Sequence, residues 1–107
     1  MNRGDIVRVA AAGDFGKPRP ALVVQNDAFA AIPSVTVLLF TTELRDVPSV
    51  RIDIEPTAAN GLRRPSQIMI DKITTVAMKR VGAPIGTLAH AEMDKVNRAM
   101  AVFLGLA

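Results

Sequence analysis

Neither face of the run Ser34-Val35-Thr36-Val37-Leu38-Leu39-Phe40-Thr41 is polar. A β-branched, apolar stretch of this length, introduced by Pro33, reads as a strand covered on both sides and therefore central in a sheet. The rest of the chain supplies neighbours for it. Residues 5–11 alternate weakly, with Val7 and Val9 on one side and Arg8 on the other, and residues 20–26 carry the apolar run Ala21 to Val24 before Gln25-Asn26-Asp27 turns the chain. Residues 50–55 alternate cleanly, and a loop over 56–65 holds the turn signal Asn60-Gly61. Residues 66–73 form a fifth strand, with Ile68 and Ile70 on one face and Met69 and Asp71 on the other. Gly82, Pro84 and Gly86 break any long element after that, leaving only a short final strand expected near Arg80. The chain closes on a helix whose stripe is Met93, Val96, Met100 and Phe103, with Thr87 the nearest polar residue to its start and Ala89 where a capping side chain would help. The expectation is a mainly β protein with a C-terminal helix, its sheet small, strongly curved and barrel-like.

At 107 residues this is the length of a single domain, 1–107, and half the residues are apolar. There is no cysteine, which fits a reducing cytoplasm. No apolar signal core precedes the first strand and no apolar run approaches a membrane span, so the expectation is a soluble, intracellular protein without a membrane partner. His90 is the only histidine and falls at the helix start, so neither a metal site nor a serine–histidine triad is supported. Nor does any glycine-rich phosphate loop appear. With no tyrosine or tryptophan, an aromatic platform for bases is poor, although Phe15 offers one stacking face or a loop anchor. The formal charge is +3, and it is unevenly placed. Residues 61–81 hold Arg63, Arg64, Lys72, Lys79 and Arg80 against Asp71 alone, which with Lys17 and Arg19 suits either a nucleic acid or an acidic protein partner.

Arg19 stands between Pro18 and Pro20 at the mouth of the second strand. Two prolines fix φ on either side, and Pro20 keeps Arg19 extended, so one planar guanidinium is held by a loop with little freedom left to lose. Such a group suits a phosphate, or else a structural pair with a carboxylate. At the exit of the central strand, Thr41 and Thr42 either satisfy nearby backbone or face the same cleft as Arg19. Arginine, aspartate and threonine suffice for cleavage of RNA by its own 2′-hydroxyl, because the substrate carries the nucleophile and the protein need only move protons and balance charge. DNA, lacking that hydroxyl, would be inert.

Three stretches together resemble the MazF/PemK family of bacterial toxin endoribonucleases: Arg3-Gly4-Asp5-Ile6, Lys17-Pro18-Arg19-Pro20-Ala21-Leu22-Val23-Val24-Gln25-Asn26-Asp27, and the proline-led strand ending in Thr41. Residues 67–73 and the terminal helix match in pattern, so nearly the whole chain is covered. The resemblance implies a small SH3-like barrel, of the kind shared with CcdB-like plasmid-maintenance toxins, working as a homodimer in the cytoplasm. It implies cleavage of single-stranded mRNA at short sequences without a metal or other cofactor, leaving a 2′,3′-cyclic phosphate and a 5′-hydroxyl. By matching position, Arg19 is the catalytic arginine and Thr41 the catalytic threonine. Asp14 holds the place of a glutamate that several members carry as proton acceptor, and being one methylene shorter it serves either that role or the order of its loop. Asp71 matches an acidic position near the active face, with an ion pair to Lys72 or Arg64 as the alternative. RNA contacts are expected from Lys17, Phe15, Thr42, Arg63, Arg64, Asp71 and Lys72. The family also implies an antitoxin partner, whose acidic flexible tail would cover the RNA path, with DNA binding belonging to that complex. Two other readings stand beside the nuclease. One is a toxin of related fold that poisons DNA gyrase through an aromatic near the C-terminus, disfavoured if Phe103 is buried in the helix stripe. The other is a barrel that binds nucleic acid without catalysis.

Overall fold

A computed structural model of the chain describes residues 1–10 and 17–107. The central run forms strand β3 (Ser34–Thr41), and on one side it pairs antiparallel with β2 (Arg19–Val23), which in turn pairs with β1 (Asp5–Val9). On its other side lies β5 (Ser66–Ala77), followed by β4 (Arg51–Ile54), while β6 (Val81–Thr87) lies outside β1. The result is one six-stranded sheet in the order β4-β5-β3-β2-β1-β6, followed by helix α1 (His90–Phe103). The mainly β architecture with a terminal helix is as expected. The barrel is not closed: β4 and β6 are edges of an open sheet and do not pair with each other.

Both faces of the middle strands are buried. Residues of alternating parity divide between two clusters, as side chains on a pleated sheet must. Ile6, Leu22, Leu38 and Phe40 point to the larger core, with Ile54, Ile68, Ile70, Leu62 and the helix residues Met93 and Val96. Val7, Val9, Ala21, Val23, Val35 and Val37 point to the other, covered by Val76, Leu39, Met78 and Val81. This is why β3 has no polar face. Arg3 ties the helix to the sheet: its Nε donates to the Val24 carbonyl at 2.8 Å and its other guanidinium nitrogen to Asn97 Oδ1 at 2.7 Å.

Three elements differ from expectation. Strand β5 runs to Ala77 rather than Ile73, and its register jumps: Leu38 faces Ile73 but Phe40 faces Ile68, so Asp71 and Lys72 lie in a bulge. Met78–Arg80 is a 3-10 turn, and the strand follows it, carrying Gly82, Pro84 and Gly86 within it. That composition is tolerated because β6 is an edge with irregular register to β1, where a missing N–H need not break a ladder. Gly86 is required there: a Cβ would meet the Asn60 carbonyl carbon at 2.3 Å. The third difference is Phe103. Only Met93 and Val96 of α1 are buried, and Phe103 is 45% exposed where the helix runs past the sheet. The reason to set aside a toxin acting through a C-terminal aromatic is thus removed. At the helix start Thr87 does not cap; its hydroxyl donates to Asp5 Oδ1 at 3.3 Å, and Glu92 alone reaches the Ala89 N–H at 3.3 Å.

Candidate active site

Antiparallel register brings the two expected groups together. Ala21 faces Leu39 in the last β2–β3 pair, so the β2 end that carries Arg19 and the β3 end that carries Thr41 lie at the same end of the sheet. The row continues in both directions, Val9 beside Arg19 and Gln67 beside Thr41, then Asp53 beside Gln67. Residues Arg19, Pro20, Phe40, Thr41, Thr42 and Ser66 line one pocket of about 210 Å³ at this end of the sheet. Arg19 is exposed at its rim, and Thr41 is half-buried.

The Thr41 hydroxyl has a set orientation. Its Oγ1 accepts from the Glu43 N–H at 3.1 Å, an interaction that leaves the hydroxyl proton available for donation. Of the two sequence readings of this hydroxyl, the backbone contact and the cleft position both hold.

A second pocket of about 180 Å³ adjoins the first and shares Pro20, Thr42 and Ser66 with it. Its other lining residues are Arg8, Gly61, Leu62, Arg63, Arg64 and Ile85. Arg63 and Arg64 therefore meet Thr42 beside the Arg19 pocket, and Arg8 joins them. The wall is rigid. Asn60 is 2% exposed, its side chain accepting from Thr57 and Leu62 N–H groups at 2.9 and 3.0 Å and donating to the Glu55 carbonyl at 2.8 Å. Arginines concentrated along two contiguous pockets make a surface suited to a polyanion.

The remaining expected residues are placed otherwise. Lys17 is exposed ahead of β2 and lines neither pocket. Asp71 and Lys72 sit in the β5 bulge opposite Leu39, two residues up β3 from Thr41, and lie 3.9 Å apart as a loose ion pair. Asp14 and Phe15 fall outside the described residues. Among the described residues no group of three or more histidines, aspartates or glutamates is placed to hold a metal ion. No helix among them is long and apolar enough to cross a membrane.

Two residues escaped the sequence reading. Arg8 was visible only as the polar member of an alternating strand. Gln67 carried no signal at all, yet it is 5% exposed and its amide joins three segments. Its Oε1 accepts from Arg45 N–H at 3.0 Å and from Arg51 at 2.9 Å, and its Nε2 donates to the Arg45 carbonyl at 2.9 Å and Asp53 Oδ1 at 2.8 Å. In the same turn the Arg45 guanidinium lies 2.8 Å from Glu43. That hydrogen bond, and then its charge, hold the Glu43 carboxyl below the usual range and raise Arg45 in return, with a smaller contribution from Arg51 to Glu43.

Comparison with known proteins spans nearly the whole chain. Residues 2–104 match the model of a family described as PemK-like, MazF-like toxins of type II toxin-antitoxin systems. A probable endoribonuclease MazF of Mycolicibacterium smegmatis is 51% identical over 108 residues, covering all of this chain and 99% of the other. Endoribonuclease EndoA of Bacillus subtilis is 30% identical over 114 residues, covering 99% of this chain and 96% of the other. A solved structure of an endoribonuclease in complex with its cognate antitoxin, from a mycobacterial species, superposes with a TM-score of 0.84 at 27% identity. It covers 100% of this chain and 97% of that one. With a family match over nearly all its residues and a relative 51% identical along its whole length, the chain belongs to the PemK-like, MazF-like toxins of type II toxin-antitoxin systems.

Proposed function

We propose that this toxin is an endoribonuclease that cuts single-stranded mRNA in the pocket shared by Arg19 and Thr41. The observation that carries the reading is that Arg19 at the start of β2 and Thr41 at the end of β3 line one accessible pocket. The substrate's 2′-oxygen attacks the adjacent phosphorus while the bond from phosphorus to the 5′-oxygen breaks. The products are a 2′,3′-cyclic phosphate and a 5′-hydroxyl, the 2′ proton passing to a base while the departing 5′-oxygen takes a proton from solvent. Arg19 lies against the non-bridging oxygens, where a fixed planar cation stabilises the charge that builds on the phosphorane. The Thr41 hydroxyl donates a further hydrogen bond to the same group, its orientation held by the Glu43 N–H. Asp14 is the candidate to take the 2′ proton, or to order the loop that carries Arg19. Thr42, Arg63 and Arg64 hold the flanking strand, with Lys17, Asp71 and Lys72 as more remote contacts and Phe15 as a further candidate contact to the RNA.

The reaction runs without a metal ion or cofactor, in the cytoplasm, and the single domain works as a homodimer. Its partner is an antitoxin with an acidic flexible tail, in keeping with the antitoxin bound to the mycobacterial relative. Exposed apolar residues at the end of α1, Val102, Phe103, Leu104 and Leu106, are consistent with surface that is covered in an assembly.

The test is end-mapping of fragments from a long RNA incubated with the purified protein, with and without EDTA. Arg19→Ala is expected to fold and to lose cleavage by at least about 10²-fold, while EDTA leaves the wild-type rate intact. Normal cleavage by Arg19→Ala, or arrest by EDTA, would falsify the mechanism. A supercoiling assay with purified gyrase separates the alternative that the exposure of Phe103 keeps open: inhibition with no RNA cleavage would favour it.

A further inference from the structure

We propose that Gln67 is a positioning residue for the Thr41 hydroxyl. This rests on the reading of Thr41 as the hydroxyl that meets the phosphate. Gln67 stands beside Thr41 in the β3–β5 register, yet its side chain does not enter the pocket. It pairs instead with the main chain of Arg45, accepting from that N–H and donating to that carbonyl, as a neighbouring strand would. The turn leaving β3 is thereby fastened at its far end to β5. Arg51 fastens its middle, since one guanidinium nitrogen donates to both Gln67 Oε1 at 2.9 Å and the Glu43 carbonyl at 3.0 Å. Asp53 completes the amide's bonding, so both donors and both acceptor positions of Gln67 are used.

The geometric consequence falls on Thr41. Residue 43 presents its N–H to Thr41 Oγ1, and its carbonyl is the one that Arg51 holds. With the peptide planes on either side of Glu43 held, the hydroxyl keeps its acceptor contact and its proton stays available to a phosphate in the pocket that Thr41 lines. Without Gln67, the main chain of Arg45 loses its tie to β5, and the contact that orients the hydroxyl loosens. Small losses of orientation at a reacting centre are expensive in rate, about 10²-fold for displacements near 1 Å. They cost little in binding, because the arginine-lined pockets that hold the strand are untouched.

The experiment compares wild type, Gln67→Met, Arg51→Met and Thr41→Val for cleavage of a short fluorogenic single-stranded RNA, together with amide exchange by NMR. Gln67→Met matches the length of the glutamine and removes its hydrogen bonds. It is expected to lower kcat about 10- to 100-fold with KM within about twofold. The Glu43 and Arg45 amides should lose exchange protection while those of Leu22 and Val37 in the core strands keep theirs. A wild-type kcat, or an undisturbed Glu43 amide, would overturn the proposal, as would protection lost throughout the sheet. Should Gln67→Met fail to fold, Arg51→Met at its half-exposed position makes the same comparison. Thr41→Val separates the two levels: if it cleaves normally, the catalytic reading itself is wrong, whereas an impaired Thr41→Val beside a fully active Gln67→Met refutes only the positioning role.

Discussion

A single cation at the right place is worth more to a ribonuclease than a large basic surface, and Arg19 owes its place to its neighbours. Pro18 and Pro20 limit the backbone, and Ala21 begins the buried part of β2, so the guanidinium starts from a fixed root. Geometry as well as charge matters there. Arg19→Lys is expected to cleave at a rate between wild type and Arg19→Ala, because an ammonium keeps the charge and loses the planar fork; single-turnover rates on one RNA check this. Asn60 shows the structural counterpart. Its buried amide closes the turn that walls the second pocket, so Asn60→Ala should lower stability by about 1–3 kcal/mol, the usual cost of buried groups left without partners. Urea unfolding measures it. The Arg19 and Thr41 pair was legible in the sequence because prolines and a strand end mark both residues. Gln67 was not, since a glutamine inside a strand pattern shows nothing of the loop it will reach.

Among the elements, β6 and the turn after β3 depart furthest from local rules. A strand containing Gly82, Pro84 and Gly86 has poor intrinsic preference, and it forms because β1 offers an edge and residues 59–60 pack against its backbone. Gly86→Ala should therefore destabilise the fold by about 1–3 kcal/mol or more through overpacking, read from the denaturant midpoint at unchanged slope. The turn carries an acid whose titration is displaced. Glu43 is lowered by Arg45, so between its folded and unfolded values the unfolded chain binds more protons, and stability there rises with pH. That contribution is present above the unfolded value near 4.5 and is lost as pH falls through the lower folded one. Its exposure keeps the effect small. Glu43→Gln is expected to flatten the pH dependence of unfolding in that acidic range and to leave neutral stability nearly unchanged.

At the scale of the whole molecule, the pattern of apolar residues underlies the architecture, and the assembled sheet brings the candidate site residues to one end. Arg8, Arg63 and Arg64 come from β1 and from the loop before β5, and they meet at two adjoining pockets only once the sheet is assembled. RNA affinity should consequently fall steeply with salt, and Arg63→Ala or Arg64→Ala should each reduce the slope of log K against log salt by roughly 0.7, measured by fluorescence anisotropy with Arg19→Ala protein as the inert background. By itself the sequence determined where most of the strands lie, that β3 lies at the centre, and which arginine and threonine are the candidates for the chemistry, because period-two burial and proline punctuation are local signals. The open edge-to-edge order of the sheet, the long β5 with its bulge, the exposure of Phe103 and the four-bonded amide of Gln67 were decided by tertiary structure alone. Each depends on which distant segments come to lie side by side, and residue type carries no record of a partner twenty positions away.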